Sequence, residues 1–202
     1  DDVMDVIEAE LTEDLLRLGG IVGEEELRGG WRDAVRSRLP WLFVNLATAV
    51  LAASVVYVFQ DAIARAVILA AIMPVIAGMG GNAGTQALAV TVRRLALTRE
   101  SAARRWGVVA KELLVGLTNG AALGAFVGLV SYLWLGEPRL GLVVLLAMWG
   151  NLIVASIAGA FIPILLERLG VDPAVASSVF VTTCTDMGGF FLLLGLASAL
   201  LL

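Results

Sequence analysis

The spacing of the charged residues constrains the fold of this chain more than any other feature. Five stretches of more than twenty residues contain no charge, apart from a single aspartate in the last of them. A transmembrane helix needs about 18 or more such residues, and none of the stretches alternates with the period of a membrane β-barrel strand. We therefore predict an all-α membrane protein with five transmembrane helices, in residues 39–60, 66–92, 113–136, 140–166 and 173–202.

The composition agrees with this prediction and excludes some kinds of chemistry. Hydrophobic residues make up 59% of the chain and the mean hydropathy is +0.92, more apolar than a soluble domain. The single cysteine, Cys184, excludes an internal disulfide framework and is expected to be a small buried residue. Without histidine, the usual zinc sites and catalytic triads are excluded, and we do not expect an enzyme.

The basic residues predict the orientation of the chain in the membrane. If the amino end is cytoplasmic, twelve of the 14 Lys and Arg residues lie inside, and only Arg65 and Arg139 lie outside. Such a bias is typical of cytoplasmic segments. The carboxyl end should then lie outside, as an odd number of spans also requires.

Residues 1–38 differ from the rest of the chain. Residues 1–18 have the pattern of an amphipathic helix, and a polar stretch then leads to the first span. We therefore predict two parts, a cytoplasmic connecting helix with its linker in residues 1–38 and a five-helix domain in residues 39–202. With no initiator Met and no signal-peptide pattern, the chain is expected to be a piece of a longer protein.

The acidic residues of the first helix allow two interpretations. Their carboxylates either form a solvated face or bind divalent cations together with a further cytoplasmic domain, since Mg²⁺ and Ca²⁺ prefer oxygen ligands. The candidates for such a regulatory metal site are Glu8, Glu10, Glu13 and Asp14.

Asp186 is the first candidate for function, because it lies near the middle of the fifth span. A carboxylate at that depth costs about 2.5–3.5 kcal/mol on insertion scales, so it usually faces a bundle interior or a wet cavity. Neighbouring threonines supply hydroxyl groups, and Gly188 and Gly189 allow another backbone to approach. No span contains a basic partner for Asp186, so a cation, water or proton is expected there instead of an ion pair.

The second candidate is the glycine-rich segment at residues 73–86 of the second span. Glycine, proline and amide residues are poor material for a regular helix, so we predict a break lining a water-filled path. The alternative is close helix packing through Gly80 and Gly84, which leaves the polar cost of Asn82 and Gln86 unexplained.

Two weaker features are interpreted as structural. Asn45, Asn119 and Asn151 are each expected to form interhelical hydrogen bonds rather than to bind a ligand. Glycines repeat every four residues from Gly116 to Gly128 in the third span, which predicts a packing surface that a second subunit could cover.

Four motifs together resemble the MgtE family of magnesium channels over essentially the whole chain. PVIAGMGGNAGTQ is similar to the signature of the family's second span, and its GNxGxQ core is intact. ERLGVDPA and TDMGGFF resemble the approach to the last span and its pore segment. DDVMDVIEAELTEDLLRLGG resembles the end of the cytoplasmic CBS domain followed by the connecting "plug" helix.

The resemblance implies a homodimer in a bacterial or archaeal inner membrane, with five spans per subunit and a pore on the dimer axis between the second and fifth spans. Asp186 matches the family's pore carboxylate, and Thr182 matches the position whose backbone carbonyl joins the same metal site. The expected ion is Mg²⁺, and the expected partners are a second copy, the lipid bilayer and the absent cytoplasmic N and CBS domains, with no nucleic acid. The pore-lining candidates are Gly81, Asn82, Gln86, Thr185 and Gly189.

Physical chemistry agrees with this assignment. Mg²⁺ gives up water reluctantly, so outer-sphere contacts to the hydrated ion suit it better than a tight protein cage. Two opposed Asp186 carboxylates would repel each other when empty, and a divalent ion would relieve both charges. The sequence thus predicts a Mg²⁺-selective channel domain. The alternative is a proton- or sodium-coupled transporter that uses Asp186 as its coupling site.

Overall fold

A computed structural model describes residues 30–97 and 102–202 of the chain. These residues form the helices α1 (Trp31–Val58), α2 (Gln60–Arg65), α3 (Ile68–Leu97), α4 (Ala102–Leu135), α5 (Pro138–Arg168) and α6 (Pro173–Leu200). Within the described ranges, five helices are long and apolar enough to cross a membrane, and α2 is the short one. For the described residues, the prediction of an all-α chain with five long apolar helices is therefore confirmed.

The predicted ends of the spans agree with the observed helix ends at the turns marked by Gly136 and Gly170. Gly136 and Gly170 have φ angles of +69° and +75°, a left-handed conformation that glycine adopts without strain. Gly170 follows the end of α5, where its amide donates to the Glu167 carbonyl at 3.1 Å, and α6 begins at Pro173 as predicted. The first span is the exception, because α1 begins at Trp31 instead of residue 39 and carries the basic residues of its first turns within the helix.

Helix α5 lies at the centre of the bundle and packs against α3, α4 and α6, whereas α1 packs mainly on α6. The hydrophobic core joins α3, α5 and α6 at the end of the bundle where α3 and α5 begin and α6 ends. Leu69, Ile76, Met148 and Leu193 are among its fully buried residues. The helices that carry most of the candidates from the sequence, α3 and α6, thus both pack on α5.

The glycine repeat of α4 packs against α5 of the same chain. A methyl group on Gly124 would lie 2.7 Å from the Leu145 carbonyl oxygen, and one on Gly128 would lie 2.7 Å from the Gly141 carbonyl oxygen. Only glycine permits so close an approach of two backbones. The predicted packing surface is confirmed, but the partner is α5 and not a second subunit.

Candidate functional site

Asp186 lies near the middle of α6 and lines a cleft of about 600 Å³ between α6 and α1. The cleft is wide because α1 contributes small side chains to its wall, namely Ala49, Ala52 and Ala53. Phe190, one helical turn beyond Asp186, lines the same cleft. A space of this size accommodates an ion with its water shell, since a water molecule occupies about 30 Å³.

The Asp186 side chain is half-buried and makes no hydrogen bond or ion pair with any other residue that the structure describes. Residues 30–97 and 102–202 also contain no group of three or more Asp, Glu, Cys or His side chains close enough to share a metal ion. A carboxylate in an apolar span is costly without a partner. The Asp186 carboxylate therefore lies in an open cleft without a protein partner among the described residues.

Two further polar side chains line the cleft with Asp186. Tyr57 stands near the end of α1, and Gln60 opens α2 after the break at Phe59. Sequence reasoning missed both residues, because nothing in the linear pattern shows that α1 packs on α6. The one available signal is that Gln60 is a polar residue at the edge of a charge-free stretch.

Thr182 and Cys184 lie on exposed parts of α6, one turn or less from Asp186. The Thr182 hydroxyl donates to the carbonyls of Ser178 and Val179, each at 3.0 Å, and its own carbonyl accepts from the Thr185 hydroxyl at 2.9 Å. Thr182 is accessible, but its carbonyl is already engaged within the helix. The prediction that Cys184 is buried is wrong, because no described helix covers that side of α6.

Thr185 and Gly189 lie on the packed side of α6, where both are buried. A methyl group on Gly189 would lie 2.8 Å from Asn151 Nδ2 of α5 and 3.2 Å from a methyl carbon of Ile76 in α3. The predicted pore residues of α6 therefore divide between two surfaces, with Asp186 and Thr182 accessible and the other two enclosed.

Helix α3 runs without interruption through the glycine-rich segment. The predicted break at residues 73–86 is wrong, and the packing alternative is correct for Gly80 and Gly84. A methyl group on Gly80 would lie 2.3 Å from Asn151 Nδ2, and one on Gly84 would lie 2.6 Å from Val181 in α6. The glycines serve close helix contacts, which compensate for their poor helix propensity.

The pore-lining candidates of α3 also face different surroundings. Gly81 has open space where a side chain would project, and Asn82 is exposed. Gln86 lines a separate cavity of about 220 Å³ between α3 and α4, together with Lys111 and the buried carboxylate of Glu112. Within one chain, therefore, none of these three residues shares the Asp186 cleft.

Asn151 of α5 joins the two candidate segments. It is fully buried, and its Nδ2 donates a hydrogen bond of 2.9 Å to the Ile76 carbonyl oxygen of α3. The prediction of an interhelical hydrogen bond is confirmed here. Gly80 of α3 and Gly189 of α6 both close on this side chain, so Asn151 fixes the contact between α3, α5 and α6.

The four acidic residues proposed for a regulatory metal site, Glu8, Glu10, Glu13 and Asp14, lie outside the described residues. Their role stays a prediction from the sequence.

Comparison with known proteins finds a family model that matches most of the described helices. A family model described as "MgtE: Divalent cation transporter" matches residues 73–196, which include the glycine-rich segment of α3 and Asp186. The match covers well over half of the chain.

Three curated relatives, each called magnesium transporter MgtE, align along nearly the whole chain. The protein of Enterococcus faecalis is 39% identical over 198 residues, and that of Bacillus subtilis is 33% identical over 199; both alignments cover 98% of this chain and 44% of the relative. The protein of Thermus thermophilus is 36% identical over 204 residues, covering 100% of this chain and 45% of the relative. The chain thus spans less than half the length of these relatives.

Proposed function

The chain belongs to the MgtE family of divalent cation transporters, a family of transporters and not of enzymes, and we propose that it forms a Mg²⁺-conducting pore in which Asp186 binds the ion. The observation that carries the proposal is the Asp186 carboxylate, which has no protein partner among the described residues and lines the 600 Å³ cleft. The names of the relatives, all magnesium transporters, support Mg²⁺ as the ion.

The ion passes in hydrated form. Mg²⁺ keeps several waters because it dehydrates reluctantly. The cleft of about 600 Å³ has room for several water molecules around an ion. Asp186 supplies the charge, and the side chains of Tyr57 and Gln60 contact the water shell.

A second copy of the chain completes the site. One carboxylate neutralises half of a divalent charge, whereas two Asp186 side chains across a two-fold axis neutralise all of it. The exposed part of α3 that contains Gly78, Gly81 and Asn82 supports this assembly, because its glycines leave room for a neighbouring backbone. In the dimer, the remaining candidates, Gln86, Thr182, Thr185 and Gly189, flank or support the ion path.

The proposal also covers the orientation of the chain and its cytoplasmic domains. The amino end lies in the cytoplasm of a bacterial or archaeal cell and the carboxyl end outside. Residues 1–38 are the cytoplasmic part, of which residues 31–38 form the first turns of α1, and residues 39–202 are the pore domain. N-terminal and CBS domains regulate the pore in the full-length protein, and the acidic residues Glu8 to Asp14 contribute a regulatory cation site.

The proposal is tested by Mg²⁺ flux into liposomes that contain the purified chain. Asp186→Ala should reduce flux to background while the protein keeps its elution volume and helical content, because the uncompensated charge is gone but no packing contact is lost. Glu137→Gln is the matched control, since Glu137 is an acidic residue in the exposed turn between α4 and α5, away from the cleft. Flux at the wild-type rate in Asp186→Ala would refute the assignment.

The same liposomes distinguish a channel from a coupled transporter. In a channel, the Mg²⁺ gradient and the membrane potential alone set the flux. Uptake that stops when an imposed proton or sodium gradient is collapsed at constant membrane potential would instead assign Asp186 to ion coupling.

A further inference from the structure

A third cavity, of about 190 Å³, lies between α4 and α5 at the opposite end of the bundle from the hydrophobic core. Its wall is apolar, with Val109 from α4 and Phe161 and Leu165 from α5. Its mouth carries Arg105, Trp106 and Arg168. The cavity is separate from the Asp186 cleft, which α1 and α6 form.

The two arginines at the mouth have different partners. Arg105 forms a bidentate salt bridge with Glu167, with Nη2 and Oε1 at 3.1 Å. Arg168 follows Glu167 directly, is exposed, and makes no ion pair with another residue of the described part of the chain. Because Glu167 neutralises Arg105, Arg168 carries the remaining positive charge among the described residues that line the mouth.

The aromatic residues close one side of the cavity. The rings of Trp106 and Phe161 lie 6.1 Å apart, and Trp106 remains 55% exposed. Tryptophan is enriched at the level of the lipid headgroups, where one edge is wet and the other apolar. Arg168 is the last residue of α5, so the mouth lies where that span leaves the bilayer.

We infer that this cavity binds an anionic phospholipid. Its phosphate pairs with Arg168, and part of one acyl chain fills the apolar slot beside Val109, Phe161 and Leu165. Charge complementarity favours this occupant, since the end of α5 that carries Arg168 is the end we propose to be cytoplasmic, and a basic residue near the membrane surface attracts anionic headgroups. A zwitterionic headgroup would bring its own positive charge towards Arg168.

Native mass spectrometry of the purified chain tests the inference with phosphatidylglycerol and phosphatidylcholine of identical acyl chains. Wild type should bind phosphatidylglycerol about fivefold more tightly, the contribution of one basic residue near a membrane surface. Arg168→Gln should abolish that preference. Arg139→Gln is the matched control, an arginine at the other end of the same helix, and should keep it.

A second variant tests the apolar slot. Val109→Phe fills the cavity and should weaken both lipids without changing their ratio. If this variant does not fold, the exposed Arg168→Gln still decides the question. Equal affinity of wild type for the two lipids, an equal loss in Arg139→Gln, or displacement of phosphatidylglycerol by inorganic phosphate would overturn the inference. Failure to bind either lipid, as when a second copy covers the cavity, would do the same. None of these outcomes depends on Mg²⁺ conduction.

Discussion

Asn151 and Asp186 are both polar side chains at membrane depth, and their surroundings are opposite. Asn151 is fully buried in α5, donates to the Ile76 carbonyl, and is enclosed by Gly80 and Gly189. Asp186 is half-buried in α6, faces a cleft and has no protein partner among the described residues. Two polar residues at membrane depth thus have two different roles.

The difference shows how to separate structural from functional polarity in a span. Around Asn151 the neighbours enclose the side chain, because glycines on two helices leave only enough room for its amide. Its Nδ2 is hydrogen-bonded, whereas its Oδ1 accepts no hydrogen bond from the described residues. Around Asp186 the neighbours leave space, because alanines of α1 widen the cleft. A polar group with fitted neighbours fixes the helices, and one that faces open space is available to a ligand.

Exchanging the two side-chain types should produce the largest effect. Asn151→Asp replaces the donor to Ile76 by a second acceptor in an enclosed site, and we expect a loss of about 3–5 kcal/mol in the free energy of unfolding, as for an uncompensated buried charge. Asp186→Asn should leave stability within about 0.5 kcal/mol while removing Mg²⁺ flux. Unfolding in detergent and liposome flux measure the two effects. Equal stability of the two variants would show that Asn151 is no more important to the fold than Asp186.

A substitution at a glycine that encloses Asn151 should have the next largest effect, on stability. Gly80→Ala places a methyl group 2.3 Å from Asn151 Nδ2 and should destabilise the chain by about 1–3 kcal/mol through overpacking. Gly107→Ala, in α4, is the control, since nothing lies within 4 Å of the new methyl group, and its stability should equal or slightly exceed wild type. Thermal unfolding of both variants tests this; similar melting temperatures would show that the contact is looser than described.

A substitution of Gln60 in the Asp186 cleft should have the smallest of these effects, on Mg²⁺ flux. Gln60→Leu should reduce Mg²⁺ flux about tenfold, the value of one hydrogen bond to a charged group, and leave the unfolding temperature unchanged. Ser54→Ala, on α1 but outside the cleft lining, is the control. If Gln60→Leu conducts like wild type, Gln60 does not contact the hydrated ion, although the assignment of Asp186 stands.

The sequence predicted the number and type of the helices because charge-free length is a local property. Gly170 and Pro173 were also predictable, since a left-handed turn and a helix start depend on the residue itself. The start of α1 was not, because charged residues can extend a helix beyond the bilayer. The α3 break was wrongly predicted because helix propensity does not include tertiary packing.

The candidate site was predictable only in part. Asp186 stands out as a charge in a neutral span, so one sequence was enough to find it. Its cleft partners Tyr57 and Gln60 depend on α1 packing against α6, which no local pattern records. The same limit explains why Thr185 and Gly189, close to Asp186 in sequence, are enclosed by α3 and α5 instead.

We propose that two Asp186 side chains, one from each subunit, hold one hydrated divalent ion. A crystal structure of the chain with Mn²⁺, which scatters anomalously, tests it most directly. We expect a single anomalous peak on a two-fold axis, within water-mediated reach of both Asp186 carboxylates, that is absent in Asp186→Ala. A peak that persists in that variant, or a dimer axis remote from Asp186, would show that two Asp186 side chains do not bind the ion.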